Sequence, residues 1–218
     1  MQPAASALPS SSRRAYWLKT LHEWHWVSSA LCLVGMLLFS ITGITLNHAG
    51  QIEARPTVTR LDGTLPPPLR ERLENALPAV RQQRQGRAPL PPEVSLWVQA
   101  QWQVDTAGRE AEWSDDEVYV SLPRPGGDAW LRIALPDGEA EYELTDRGWI
   151  SYFNDLHKGR HTGVAWSWFI DIFAAAALVF SVTGLLILKM HATKRPFTWP
   201  MVGLGLLAPL LLALLLIH

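Results

Sequence analysis

Three long apolar segments constrain the fold of this chain more than any other feature. They are Val27–Leu46, Val164–Leu188 and Met201–Ile217. A bilayer core about 30 Å thick is crossed by roughly 20 apolar residues in a helix. The first two segments reach that length, and the third reaches it when Phe197–Pro200 is included. The sequence therefore predicts a membrane protein with three transmembrane helices.

The first apolar segment is predicted to be an uncleaved span and not a signal peptide. It is longer than a signal-peptide core, it starts late, and no small-residue cleavage site follows it. Cys32 lies inside this segment and is the only cysteine of the chain. An intrachain disulfide and a multi-cysteine metal site are therefore excluded.

Basic residues beside the spans predict the orientation of the chain. They precede the first span and fill the link between the second and third spans: Arg13, Arg14, Lys19, Lys189, Lys194 and Arg195. The positive-inside rule places both groups in the cytoplasm. The segment Ala49–Gly163 and the C-terminal His218 then lie outside. The predicted division is a cytoplasmic segment (1–25), a first transmembrane helix (26–48), an outside domain (49–156), a second transmembrane helix with an outside extension (157–191), a cytoplasmic link (192–198) and a third transmembrane helix (199–218).

The outside segment is predicted to be a small α+β domain. Prolines open a helix over Thr64–Val80, and its leucines share one face. Residues 81–93 are predicted to form a loop from their Gly, Pro and charge content. The predicted strands are 93–104, 116–124 and 128–135, with turns at Pro125–Gly127 and Pro136–Gly138 before a last extended segment, 139–146.

Several classes of function are excluded by what the sequence lacks. It has no Gly-rich phosphate loop, no nucleophile elbow and no flavin or nicotinamide fingerprint. The net charge is −1, and the basic residues are neither clustered nor interleaved with aromatic residues. No nucleic-acid partner is therefore expected.

The positions of the histidines are the strongest functional signal. Six of the seven lie at the boundaries of the first two spans, and we call them the boundary histidines: an inner set of His22, His25 and His191, and an outer set of His48, His157 and His161. Each set draws on two helices, as bis-histidine ligation of a haem iron in a helical bundle requires. The alternative is that these amphipathic side chains, like the nearby tryptophans, only decorate the membrane interface.

Other residues fit a bound cofactor, although each has an alternative explanation. Small residues in the spans would let a flat group or another helix come close: Gly35, Ser40, Gly43, Ser181 and Gly184. Lys158 and Arg160 would either pair with haem propionates or remain solvated. Asp171 lies inside the second span, where an ionisable group is costly. It would accept a hydrogen bond from a histidine ring, relay protons or tie two helices together.

Two long stretches of the chain resemble a known family. Leu21–Gly50, which contains LHEWHW and NHAG, and Asp146–Met190, which contains LHKGRH, resemble the PepSY-associated transmembrane helix family. The segment between them resembles a degenerate PepSY domain. The resemblance implies three transmembrane α-helices with an α+β PepSY-like periplasmic domain inserted between helices 1 and 2. Larger relatives have four or more spans, so a homodimer or a partner membrane subunit is expected here.

The resemblance also implies a function. Some relatives resemble haem proteins of the bacterial inner membrane that reduce ferric siderophores. The boundary histidines would then be ligands of one or two b-type haems per chain. His25 and His191 are expected to ligate an inner haem, and His48 and His161 an outer one, with His22 and His157 as alternative ligands. Electrons would pass from a quinol or a separate reductase to a periplasmic acceptor, ferric iron or a ferric siderophore.

A second hypothesis belongs to another class of function. PepSY domains also occur in protease propeptides. The chain would then be a non-catalytic membrane anchor, whose outside domain binds peptides or restrains a periplasmic enzyme.

Overall fold

The computed structural model describes residues 10–53, 55–82 and 86–217. The helices are α1 (Ser10–Asn47), α2 (Pro67–Arg81), α3 (Pro92–Trp102), α4 (Trp149–Lys158), α5 (Gly163–His191) and α6 (Thr198–Leu216), with a 3-10 turn at Ala192–Lys194. The strands are β1 (Thr57–Thr64), β2 (Arg87–Pro89), β3 (Glu110–Trp113), β4 (Glu117–Ser121), β5 (Gly127–Ala134) and β6 (Glu139–Asp146). His218, predicted to end the third span, lies outside the described residues.

Among the described residues, three helices are long and apolar enough to cross a membrane: Ser12–Asn47, Gly163–His191 and Thr198–Leu216. This confirms the predicted class of protein, a membrane protein with three candidate spans. In chain order, all six strands fall between the first and second of these helices. Helix α1 has 38 residues, so at about 1.5 Å per residue it is roughly 57 Å long. It is therefore longer than the hydrocarbon core of a bilayer.

The chain separates into two compact units. The first contains the chain up to Leu38 and from Trp168 onward, and the second is Phe39–Ser167. In the first unit, α1 packs against α5. A Cβ at Gly35 would lie 2.5 Å from a ring carbon of Phe173, so the absent side chain is what admits the phenylalanine ring.

The second unit contains a six-stranded antiparallel sheet in the order β1-β6-β5-β4-β3-β2. Alternate strand residues face a core that also contains the buried sides of α2 and α3. Its members include Leu73, Val94, Val98, Val118, Val120, Leu131 and Ile133. Residues on a strand alternate between its two faces, and the alternate residues on the other face include the charged side chains of Arg132, Glu141 and Glu143.

Much of the predicted secondary structure of this unit is confirmed. Strands β4 and β6 fall within the predicted ranges, and β5 begins one residue before its predicted range, at Gly127. The chain turns at Pro125–Gly126 and Pro136–Gly138 as expected. The predicted helix is α2, although it begins at Pro67, because Thr64 ends strand β1.

The predicted strand over 93–104 is wrong, because Pro92–Trp102 is helix α3. Pro91 and Pro92 open the helix, and Gln103 closes it with a φ of 58°. Val94 and Val98 are fully buried, at the four-residue spacing of a helix face. The predicted loop over 81–93 also contains the short strand β2, and strands β1 and β3 were not predicted.

Candidate functional site

In the first unit, the rings of His22 and His191 lie edge to face with centroids 6.3 Å apart. Each is held by its own helix. The His22 Nδ1 lies 2.7 Å from the carbonyl oxygen of Leu18, and the His191 Nδ1 lies 2.9 Å from that of Ile187. A carbonyl oxygen only accepts, so Nδ1 carries the proton in both neutral rings. The lone pair is then on Nε2, the nitrogen that is available for a metal.

His25 is held by the neighbouring helix, α5. Its Nδ1 lies 3.1 Å from Thr183 Oγ1 and 3.2 Å from the Phe180 carbonyl oxygen. The Thr183 hydroxyl donates to the carbonyl of Val179 at 2.7 Å, so its oxygen accepts from the His25 Nδ1–H. The imidazole also stacks on the Phe180 ring at 4.6 Å. A Cβ at Gly184 would lie 3.2 Å from His25 Cε1, so this glycine makes room for the imidazole.

In the second unit, the end of α1 holds His157 of α4 in the same way. The His157 Nδ1 lies 2.6 Å from Thr42 Oγ1. The Thr42 hydroxyl donates to the Phe39 carbonyl at 3.3 Å, so it accepts from the imidazole. The Phe39 ring lies 4.8 Å away, and a Cβ at Gly43 would lie 3.7 Å from His157 Cε1.

The sites that hold the rings of His25 and His157, which we call the histidine seats, share a four-residue sequence motif. Residues 40–43 read SITG, and residues 181–184 read SVTG. In each copy the threonine accepts from a histidine Nδ1, and the glycine faces that ring's Cε1. Thr42 and Thr183 are both buried. The serines and glycines of both copies were predicted to allow a close approach, whereas the threonines were not predicted; comparing the sequences of the two spans reveals them.

The remaining predicted residues are exposed. The His48 Nδ1 lies 3.0 Å from Gln51 Oε1. His161 has a φ of 56° in the turn between α4 and α5. Because α4 ends at Lys158 and Gly159 is left-handed, His157 and His161 do not share a helix face. Arg160 lies in the same turn, and Asp171 is exposed on α5.

Histidines that ligate a haem iron bind it through a ring nitrogen with a free lone pair. Five of the six boundary histidines have Nδ1 bonded to an oxygen, which leaves the Nε2 lone pair for a metal. In the described part of the chain, no group of three or more His, Cys, Asp or Glu side chains is arranged to hold a metal ion. A haem needs only axial ligands from the protein, since the porphyrin supplies the others.

These features define an integral membrane protein with three candidate spans, an antiparallel sheet and paired histidine seats. The PepSY_TM-like family model matches residues 16–218. The chain belongs to this family, which confirms the resemblance found in the sequence. No curated protein and no solved structure matches the chain significantly.

Proposed function

We propose that the chain is a haem b electron carrier of the bacterial inner membrane, delivering electrons to a periplasmic ferric acceptor. The observation that carries the proposal is the repeated seat. Two spans use the same four-residue motif to hold a histidine by Nδ1. Interface decoration does not require a buried threonine behind each ring, whereas an axial ligand benefits from one. A hydrogen bond at Nδ1 fixes the ring orientation and increases the basicity of the ligating nitrogen.

We also propose an assignment of the haem ligands. His25 and His157 are the two seated histidines, so we assign one to each haem. His191, which is fixed at Nδ1 by the carbonyl of Ile187, is the proposed second ligand beside His25. His48 and His161 are the candidates for the second ligand beside His157. Bound haem would supply a one-electron carrier, and the protein's residues would set its orientation and potential.

The first test is spectroscopic. We expect detergent-purified protein to show a sharp reduced α-band after dithionite, with one or two b-type haems per chain by pyridine haemochrome. His25→Ala and His157→Ala should each remove one haem's absorbance if two are present. A haem-free spectrum from protein made with ample haem would contradict the proposal.

The threonines give a sharper test. Thr183→Val and Thr42→Val keep the side-chain shape but remove the acceptor behind His25 or His157. Each should retain haem and raise its midpoint potential, since a less basic imidazole stabilises the ferric state less. Thr45→Val is the matched control, because that hydroxyl donates to Asn154 Oδ1 and not to a histidine. Equal potentials in all three variants would remove the ligand role from the repeated motif.

A second candidate function is favoured by the polar face of the sheet. Tyr119 and Trp130 stack there with centroids 6.2 Å apart. Burial and the carboxylates of Asp128, Glu112 and Glu143 raise the pKa of Tyr119. Glu112 and Glu143 are also ion-paired with Arg87 and Arg60. The stacked rings suit a cationic side chain of a peptide segment through cation–π contacts. Such a binding module would retain its partner in the His25→Ala and His157→Ala variants, whereas electron transfer would be lost.

A further inference from the structure

Helix α4 has two faces with different partners. Its buried residues are polar: the Asn154 Oδ1 accepts from Thr45 Oγ1 at 2.6 Å, and the Asp155 Oδ2 accepts from the Gly126 backbone N–H at 2.9 Å. Its exposed face is aromatic. Trp149, Tyr152 and Phe153 are 71%, 43% and 36% exposed. This is the reverse of a helix on a water-facing surface, which exposes polar residues and buries apolar ones.

The three rings form one continuous patch, which we call the α4 aromatic patch. Trp149 and Phe153 have centroids 6.2 Å apart, and Tyr152 and Phe153 have centroids 5.8 Å apart. Positions i, i+3 and i+4 share one side of a helix. An aromatic surface of this kind is stable beside lipid, because tryptophan and tyrosine rings favour the layer between hydrocarbon and water.

The contacts with α1 fix the depth of this patch. Thr42 and Thr45 lie in the last two turns of α1, which ends at Asn47, and they bond to His157 and Asn154 of α4. The helix therefore lies beside the end of a candidate membrane span. In a bilayer that is crossed by the apolar segment Val27–Leu46, this end of α1 would lie at the depth of the lipid headgroups.

A cleft opens at the same level, between the residues after α1 and the start of α4. It has a volume of about 320 Å³, and its lining includes Glu53, Arg55, Arg147 and Trp149. Two guanidinium groups thus share the cleft with one carboxylate. Arginine binds phosphate through paired charge-assisted hydrogen bonds. The carboxylate of Glu53 suits the ammonium group of a zwitterionic headgroup, and Trp149 links the cleft to the aromatic patch.

We propose that the α4 aromatic patch lies in the lipid interface and that the adjoining cleft binds the headgroup of a phospholipid, with its phosphate on Arg55 and Arg147. The lipid would thereby fix the depth at which the sheet unit meets the membrane. This inference is independent of haem binding.

The first test measures lipid retention by native mass spectrometry of the full-length protein, released from membranes containing phosphatidylethanolamine. The wild type should retain a phospholipid adduct. The double variant Arg55→Gln/Arg147→Gln should lower the retained fraction by roughly tenfold, because two charge-assisted contacts are lost. The matched control is Arg72→Gln/Arg109→Gln, two exposed arginines elsewhere in the unit, which should behave as wild type. Equal retention in both double variants, or adducts with the mass of inorganic phosphate alone, would overturn the headgroup site.

The second test locates α4 itself. A polarity-sensitive fluorophore on Tyr152→Cys, in full-length protein reconstituted in vesicles, should emit at shorter wavelength and be quenched by lipids brominated on the acyl chains. The same fluorophore on Asp137→Cys, in the exposed β5–β6 turn, should show neither effect. Cys32 is fully buried, so the unsubstituted chain serves as the blank. Matching spectra at the two sites would overturn the interfacial position of α4.

Discussion

Gly127 shows how a single residue position depends on a distant part of the chain. It pairs with Asp146 across strands β5 and β6. A Cβ at this position would lie 2.2 Å from the backbone oxygen of Thr145, so any side chain would displace a backbone atom. The sequence predicted a turn at Pro125–Gly127, but this close approach depends on the backbone of another strand. No local pattern reveals it.

We therefore predict that Gly127→Ala destabilises the sheet unit by about 3 kcal/mol. The added methyl group would clash with the backbone of β6, which cannot move away without breaking the hydrogen bonds between β5 and β6. Urea unfolding of the full-length protein in detergent, followed by circular dichroism, measures this change. Gly50→Ala is the control, since nothing lies within 4 Å of a Cβ there. Its effect should stay within about 0.5 kcal/mol. Similar midpoints for the two variants would show that the strands relax around the methyl group.

At the scale of elements, the sequence predicted best where one physical signal dominated. Strands β4, β5 and β6 alternate buried and less buried residues along their length, and that alternation is visible in the sequence. Helix α3 was missed because Leu96, Val98, Ala100 and Trp102 also alternate with other residues. Packing of Val94 and Val98 into the core and the two opening prolines favour the helix.

The helical phase of α3, which decides which of its residues face the core, can be tested directly. In a strand, Leu96 and Val98 would share a face, but in α3 Leu96 is 68% exposed and Val98 is fully buried. Val98→Asn should lower the free energy of unfolding by about 3 kcal/mol, because it buries a side-chain amide that has no hydrogen-bond partner. Leu96→Asn should change it by less than about 0.5 kcal/mol. Equal losses in a denaturant titration would contradict the helical phase.

The candidate site, too, was predictable only where one physical signal dominated. The sequence places histidines at the ends of spans, because span length and charge are readable from composition. It does not reveal which oxygen each Nδ1 reaches. That depends on how α1 turns toward α5, and α4 toward α1, which is decided by tertiary packing. The seats of His25 and His157 therefore emerged only from the contacts with Thr183 and Thr42.

For the whole molecule, the three candidate spans and the flanking basic residues make a topological prediction. Asp137→Cys in intact cells should react with a membrane-impermeant maleimide, because the positive-inside rule places the sheet unit outside. Arg13→Cys, near the start of α1, should react only after the membrane is permeabilised. The unsubstituted chain should remain unlabelled, because its sole cysteine, Cys32, is buried. Labelling of Arg13→Cys alone in intact cells would reverse the orientation.

The position of β1 at the edge of the sheet has a consequence for biogenesis. Within the part of the chain that the structure describes, its one neighbour in the strand order is β6, and Thr57 pairs with Asp146, about 90 residues later. At synthesis rates of about 5–20 residues per second, β1 therefore waits roughly 5–20 s for its partner. During that time its hydrogen-bonding groups are unpaired, although the first span has already left the ribosome. The cell must either shield this strand or tolerate its exposure, so the nascent chain is most prone to aggregate just before β6 emerges.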